Sequence, residues 1–382
     1  MSADATWEPE VARRIRAGVP PSPREVAGVT GARSLSLGED GVRDARRALG
    51  ARVLGLGPLE ALVADETVTD VLVNGNGTVW VDRGEGVVPA GVRVDAADLR
   101  PLATRLAGLA RRRLDDARPW VDGLLPGGVR LHALLPPLVD DGPHLSLRVA
   151  RHQPAGVAGL EALGAVDAEV ARVLRRVVRG RHSFLVTGGT GTGKTTVLGA
   201  LIAECDPGDR IVVVEDVREL EPGHPHVVRL QGRGANVEGV GEVTMVDLVR
   251  QALRMRPDRL VVGEVRGGEV RELLSALNTG HEGGAGTVHA NSVTEVPARV
   301  EALGALAGMP RAAVHAQLRG AVRVVLGMGR VGGRRIVCEV GVVDPSRDGA
   351  PVVLSALTSD GERSRPGPAR ALLDEVLGEA GP

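Results

Sequence analysis

Lysine is almost missing from this chain: of 47 Lys and Arg residues, the sole lysine is Lys194. Tyrosine is absent, phenylalanine occurs once (Phe184), and aromatics make up 1% of the 382 residues. Cores must then be built from Val, Leu and Ala, and stacking platforms for single-stranded nucleic acid are scarce. The two cysteines, Cys205 and Cys338, form no C-x-x-C pair, which excludes a four-cysteine zinc cage. A disulfide framework is not expected either, and a reducing cytoplasm suits such a chain. No apolar stretch reaches the ~20 residues that span a bilayer, and Met1 to Glu10 is acidic without a signal-type apolar segment. The formal net charge is −1, too small a field to draw the chain to nucleic acid or anionic lipid.

What is present is a globular composition, 43% hydrophobic and 25% charged, on a length that favours two domains plus tails. The solitary lysine sits in Gly188-Gly189-Thr190-Gly191-Thr192-Gly193-Lys194-Thr195, which fits G-x-x-x-x-G-K-[ST]. A compact ammonium enters a ring of backbone N–H groups where a planar guanidinium does not. The context agrees: Phe184 to Thr187 reads as a buried strand, and Thr196 to Ile202 as a helix. Backbone N–H groups of Gly189 to Thr195 then wrap a β-phosphate at the helix N-terminus. Lys194 would bridge the β- and γ-phosphates of ATP, the Thr195 hydroxyl would hold Mg²⁺, and Thr196 would reach the α-phosphate.

Along the chain, residues 1–48 read as a helical and mobile Pro/Arg-rich extension. Residues 49–150 read as a smaller α+β domain. Its strongest signal is Val68 to Val73 and Thr78 to Val81 around Asn74-Gly75-Asn76-Gly77, a hairpin. Leu99, Leu102, Leu106 and Leu109 share one helical face, and Val129 to Ala133 and Leu145 to Val149 read as strands. Residues 151–160 read as a linker. Residues 161–344 alternate strand and helix, as expected of an α/β domain with a mainly parallel sheet. Residues 345–382 read as a Pro/Gly-broken tail with a short helix at Ala369 to Leu377.

Two apolar strands in that domain end in acids: Val212 to Val214 in Glu215-Asp216, and Leu260 to Gly263 in Glu264, with Arg266 just beyond. Strand ends are where open α/β sheets gather their ligands, so these carboxylates are expected to serve a nucleotide site. His289 ends a third apolar run, where a γ-phosphate sensor would sit. His281 is equally readable as a packed residue.

These motifs, in this order, resemble the type II/type IV secretion ATPase superfamily, and most closely its CpaF-like branch serving Tad/Flp pili. Gly188 to Thr196 matches Walker A, IVVVEDVREL at Ile211 to Leu220 the acidic box, and VDLVRQALRMRPDRLVVGE at Val246 to Glu264 the approach to Walker B. NTGHEGGAGTVHANS, Asn278 to Ser292, matches the histidine box; the likeness spans roughly residues 50–340.

The resemblance implies a RecA-like P-loop domain after a smaller α+β domain, with Glu264 polarising water. Glu215, with Asp216, would help place water and Mg²⁺, and His289 would sense the γ-phosphate. It further implies that Arg130 and Arg148, from the smaller domain, reach the γ-phosphate, although ordinary strand-edge ion pairing explains them too. A homo-oligomer, a hexameric ring, is implied, working at the inner face of the cell membrane on a platform protein. The four-cysteine zinc insertion of some relatives is missing, which leaves platform recognition to the Arg-rich first 50 residues or a ring face. Within the family a conjugative type IV traffic ATPase is the nearest alternative. A RecA-like nucleic-acid motor and a non-catalytic nucleotide-gated scaffold are more distant ones.

Overall fold

The computed structural model describes residues 55–84, 86–149, 155–235, 240–344 and 349–378. The expected N-terminal extension, 1–48, lies outside them. The chain divides into two compact units, Met1–Arg151 and His152–Pro382.

The first unit opens with α1 (Glu60–Ala64), then β1 (Asp70–Val73), β2 (Thr78–Asp82) and β3 (Val87–Arg93). The helix α2 (Ala96–Leu109) separates these from β4 (Trp120–Leu124), β5 (Val129–Leu134) and β6 (His144–Val149). The six strands form one sheet in the order β3-β2-β1-β6-β5-β4. The pairs β1–β2, β2–β3, β1–β6, β5–β6 and β4–β5 are antiparallel. Strand burial alternates strictly in β1, β2 and β5, so one face carries the core and the other is only half-buried. Leu99, Leu102 and Leu106 of α2 join the strand valines and leucines in that core. The hairpin expected around Asn74 to Gly77 is there, with Val73 opposite Val79.

The second unit begins with α3 (Gly156–Ala162), α4 (Ala168–Arg179), β7 (Phe184–Thr187) and α5 (Lys194–Ala203). β8 (Ile211–Glu215), β9 (Val227–Gln231), α6 (Met245–Leu253), β10 (Arg259–Val265) and α7 (Glu269–Asn278) follow. Then come β11 (Ala285–Val288), α8 (Val296–Leu306), α9 (Arg311–Ala321), β12 (Val324–Val331) and β13 (Arg334–Val343). The unit closes with β14 (Val353–Ser359), β15 (Ser364–Pro366) and α10 (Arg370–Leu377). Its nine-stranded sheet runs β15-β14-β13-β12-β7-β11-β10-β8-β9. The strands from β12 to β9 pair in parallel, and β13 to β15 are added antiparallel. Both faces are buried: Ile211 and Val213 enter one core cluster, and Val212 and Val214 the other. That is why β7 and β8 read as apolar runs up to their polar last residues.

Two boundaries differ from the sequence reading. The expected linker 151–160 already contains helix, because Val157 and Leu160 are wholly buried in the second unit's core. Val157 N donates to Glu204 Oε1 at 2.8 Å, which caps this helix against the end of α5. The expected tail 345–382 is in large part sheet: β14 pairs with β13, and Ala356, Leu357 and Leu373 are buried. Its helix falls at Arg370–Leu377.

Candidate functional site

A parallel sheet directs the carboxyl ends of its strands to one side, and the candidate side chains in this unit other than His281 stem from that side. β7 ends at Thr187 and runs directly into the phosphate-loop sequence. Gly193 caps α5 at φ 94°, a left-handed conformation that glycine adopts without strain. Lys194, the first residue of α5, is only 8% exposed. Its Nζ donates to the carbonyls of Gly188 and Gly189 at 3.0 and 2.8 Å, so the loop's own backbone satisfies the ammonium. Thr192 Oγ1 donates to Gly189 O at 2.9 Å and tightens the same turn. Thr190 and Gly191 are exposed, and Thr195 and Thr196 are half-buried in the first turn of α5. Burial pushes the Lys194 pKa down, with the Glu264 carboxylate opposing it.

Glu264 lies in β10 and His289 directly follows β11, the neighbouring strand. His289 Nε2 stands 2.7 Å from Glu264 Oε1, a close contact not aligned as a hydrogen bond. Arg266 Nη2 stands 2.5 Å from the other oxygen, Oε2. Burial and then the Lys194 charge lower the His289 pKa below the usual imidazole range, which favours the neutral ring at pH 7. The hydrogen bond to Glu264 raises the pKa of Arg266.

Glu215 closes β8 and is 4% exposed. Its Oε1 accepts from the backbone N–H of Glu219 and Leu220, both at 3.1 Å. Its Oε2 is buried with no hydrogen-bond partner. Burial raises its pKa to about 7. Asp216 is exposed beyond the strand end. His281 lies half-buried just beyond α7, with Nδ1 3.3 Å from Ala276 O.

The sequence reading missed the groups that hold these side chains in place. Thr187 Oγ1 donates to Ala290 O at 3.0 Å and accepts from Ala290 N at 3.1 Å. This ties the residue after His289 to the strand that launches the phosphate loop. Thr287 Oγ1 donates to Gly263 O at 2.7 Å, joining β11 to β10 beside Glu264. Glu269, 6% exposed, accepts from Arg266 N at 2.6 Å and Gly267 N at 2.9 Å through Oε1. The only sequence signal for these was a polar residue at the end of, or just after, an apolar strand. Beside the loop, a cavity of about 390 Å³ is lined by Gly188, Gly189, His289, Asn291, Glu295 and Arg299, among others.

The donor set suits magnesium. Mg²⁺ is a hard ion that takes oxygen, keeps several waters and uses few protein ligands alongside substrate phosphates. Among the described residues no cluster of three or more His, Cys, Asp and Glu could form an all-protein metal cage. The half-buried Thr195 hydroxyl and the orphaned Oε2 of Glu215 are oxygen donors of the required kind.

Arg130 and Arg148 belong to the first unit, where they are direct cross-strand partners on β5 and β6. Arg148 Nε donates to Asp70 Oδ1 at 3.1 Å, and Arg130 Nη2 lies 3.7 Å from Asp122 Oδ1. Each guanidinium thus reaches an acid on the strand flanking its own, Asp70 on β1 for Arg148 and Asp122 on β4 for Arg130.

The family model for type II/IV secretion system proteins matches residues 53–339. A Mycobacterium tuberculosis protein named for conjugal transfer is 55% identical over 315 residues, covering 80% of this chain and 90% of that protein. The conjugal transfer protein TrbB of Rhizobium radiobacter is 34% identical over 281 residues, covering 72% of this chain and 84% of its own. Among solved structures, the pilus retraction motor PilT with bound ADP aligns at a TM-score of 0.52 and 19% identity. That alignment covers 82% of this chain and 84% of PilT. The ATPase DotB of Legionella pneumophila aligns at 0.50 and 18%, covering 77% of each chain. These two show likeness of fold alone. Among the described residues no helix is long and apolar enough to cross a membrane. With three quarters of its length matched by the family model and its motifs in order, the chain belongs to the type II/type IV secretion ATPase superfamily and is an ATP hydrolase.

Proposed function

We propose that this chain is a cytoplasmic, Mg²⁺-dependent motor whose RecA-like domain turns ATP hydrolysis into motion between its two domains. Working as a hexameric ring at the inner face of the cell membrane, it would drive Tad/Flp-type pilus assembly or type II/IV secretion through a platform protein. The observation that carries the chemistry is Glu264, held between His289 and Arg266 and inside the field of Lys194.

The loop's own carbonyls hold the Lys194 ammonium, and Glu264 Oε1 is buried beside His289 without a hydrogen-bond partner. ATP would draw Lys194 off the carbonyls of Gly188 and Gly189 onto its β- and γ-phosphates, with Gly188 to Thr195 wrapping the tail and Thr196 near the α-phosphate. Neutral His289 would donate to the γ-phosphate and release Oε1 of Glu264 for a water. That water's oxygen attacks the γ-phosphorus, its proton passes to Glu264, and the bond to the bridging oxygen breaks with its electrons staying on ADP. Thr195 and Glu215 would hold Mg²⁺, which neutralises developing phosphate charge.

Arg130 and Arg148 would act as fingers on the γ-phosphate. Exposed ion pairs such as Arg148–Asp70 are worth about 0.2–1 kcal/mol, so exchanging a carboxylate for a phosphate is easy. A finger adds about 10³–10⁵ in rate, and carrying it on a separate domain couples chemistry to movement.

Conjugative DNA transfer is the second reading, favoured by the names of the Mycobacterium tuberculosis and Rhizobium relatives. A motor acting directly on nucleic acid is opposed by the net charge of −1. The test is a chromosomal Lys194→Ala variant scored for surface filaments, protein secretion and plasmid transfer, with the purified variant assayed for phosphate release. Loss of filaments or of protein secretion supports the proposal. Loss of plasmid transfer alone moves the motor to conjugation, and unchanged hydrolysis removes the site.

A further inference from the structure

The catalytic candidates all lie on one side of the phosphate loop. In the sheet, β7 is followed on that side by β11, β10 and β8, which carry His289, Glu264 and Glu215. A triphosphate whose γ end faces those groups must extend its ribose and base toward the opposite neighbour of β7, which is β12. There the β12–β13 hairpin places Arg330 directly opposite Arg335. Arg330 Nη2 donates to Gly191 O at 3.2 Å. The Cβ and Cδ of Arg335, like Cε of Met328, lie 3.7–3.8 Å from where a Cβ on Gly193 would be. Both arginines are exposed, and both rest against the phosphate loop.

A purine favours a flat, polarisable surface to stack on, and this unit offers no Tyr, Trp or exposed Phe. The chain has no tyrosine, two of its tryptophans (Trp80 and Trp120) lie in the first unit, and the third, Trp7, precedes the described residues. Phe184 is 3% exposed inside the core. A guanidinium is planar, stacks on π faces and carries a positive charge, so Arg335, exposed beside the phosphate loop, is suited to cover a base. Like charges placed directly opposite each other across a strand pair are unfavourable.

We propose that Arg335 stacks on the purine base, while Arg330, through Gly191 O, positions the loop beneath the ribose. The hairpin is thus a nucleoside-binding shelf on the far side of the loop from Glu264. This rests on the P-loop holding the triphosphate tail as described above.

The test measures ADP binding by calorimetry and pyrophosphate by competition, on the full chain. The proteins are wild type, Arg335→Ala, Arg335→Lys, Arg330→Ala and, as control, Lys194→Ala. Arg335→Ala is expected to weaken ADP about tenfold, the scale of one lost base stack, and to leave pyrophosphate unchanged. Arg335→Lys keeps the charge without the plane and should not restore ADP binding. Arg330→Ala should weaken both ligands, because it acts through the loop. Equal loss of ADP and pyrophosphate in Arg335→Ala, or rescue by lysine, reduces the residue to a phosphate charge and overturns the shelf; so does unchanged ADP affinity. If Lys194→Ala retains both ligands, the P-loop reading itself is wrong and the shelf falls with it.

Discussion

His289 Nε2 and Glu264 Oε1 meet at 2.7 Å, joining the ends of two adjacent parallel strands that are separated by α7 in the chain. The contact uses one carboxylate oxygen and Arg266 the other, so the carboxylate's orientation is set from both sides. Glu264→Gln keeps the shape and removes the base. ATP should stay bound while steady-state phosphate release falls about 10²–10⁴-fold. Near wild-type release would transfer the role to Glu215.

Glu215 gives a pH signature with a definite sign. Burial raises its folded pKa from 4.5 to about 7, so between those values the folded protein holds more protons than the unfolded one. This group therefore subtracts stability as pH rises across that window. Glu215→Gln lacks the charge and should gain in melting temperature relative to wild type at pH 8 compared with pH 5. An identical difference at both pH values would show that the carboxyl is not held in a desolvating environment.

Gly263 is fixed by the same side chain. A Cβ there would stand 2.6 Å from Glu215 Cγ and 3.1 Å from Oε1, so Gly263→Ala must push the glutamate aside. Overpacking of this kind costs about 1–3 kcal/mol, and turnover should fall as well. In a double-mutant cycle with Glu215→Ala the stability losses should be non-additive, because the clash disappears. Strict additivity would place the cost elsewhere.

Arg130→Ala and Arg148→Ala separate finger from scaffold. As fingers, each should reduce the hydrolysis rate constant strongly, by up to about 10³-fold, while ATP affinity changes little. If only stability moves, by no more than about 1 kcal/mol, they are ion-pair partners of Asp122 and Asp70 and nothing else.

Much of this molecule could be read from its residues in order. Strands buried on both faces appear as apolar runs, and so β7, β8 and β10 were visible, as was the half-buried hairpin of β1 and β2 through its alternation. The strand β14 was not, because its burial does not alternate. Helix α3 looked like a connector, since its glycines and short length hide the two residues, Val157 and Leu160, that anchor it.

By itself the sequence determined the phosphate loop, its lone ammonium, and the acids and histidine at strand ends, because each is a local pattern with a local physical cause. Only the tertiary structure decided which of these share a place. Strand order, set by packing between segments far apart in the chain, put His289 against Glu264 and Arg330 beside Gly191. Burial, which no single residue carries in its identity, raises the pKa of Glu215 and lowers that of His289.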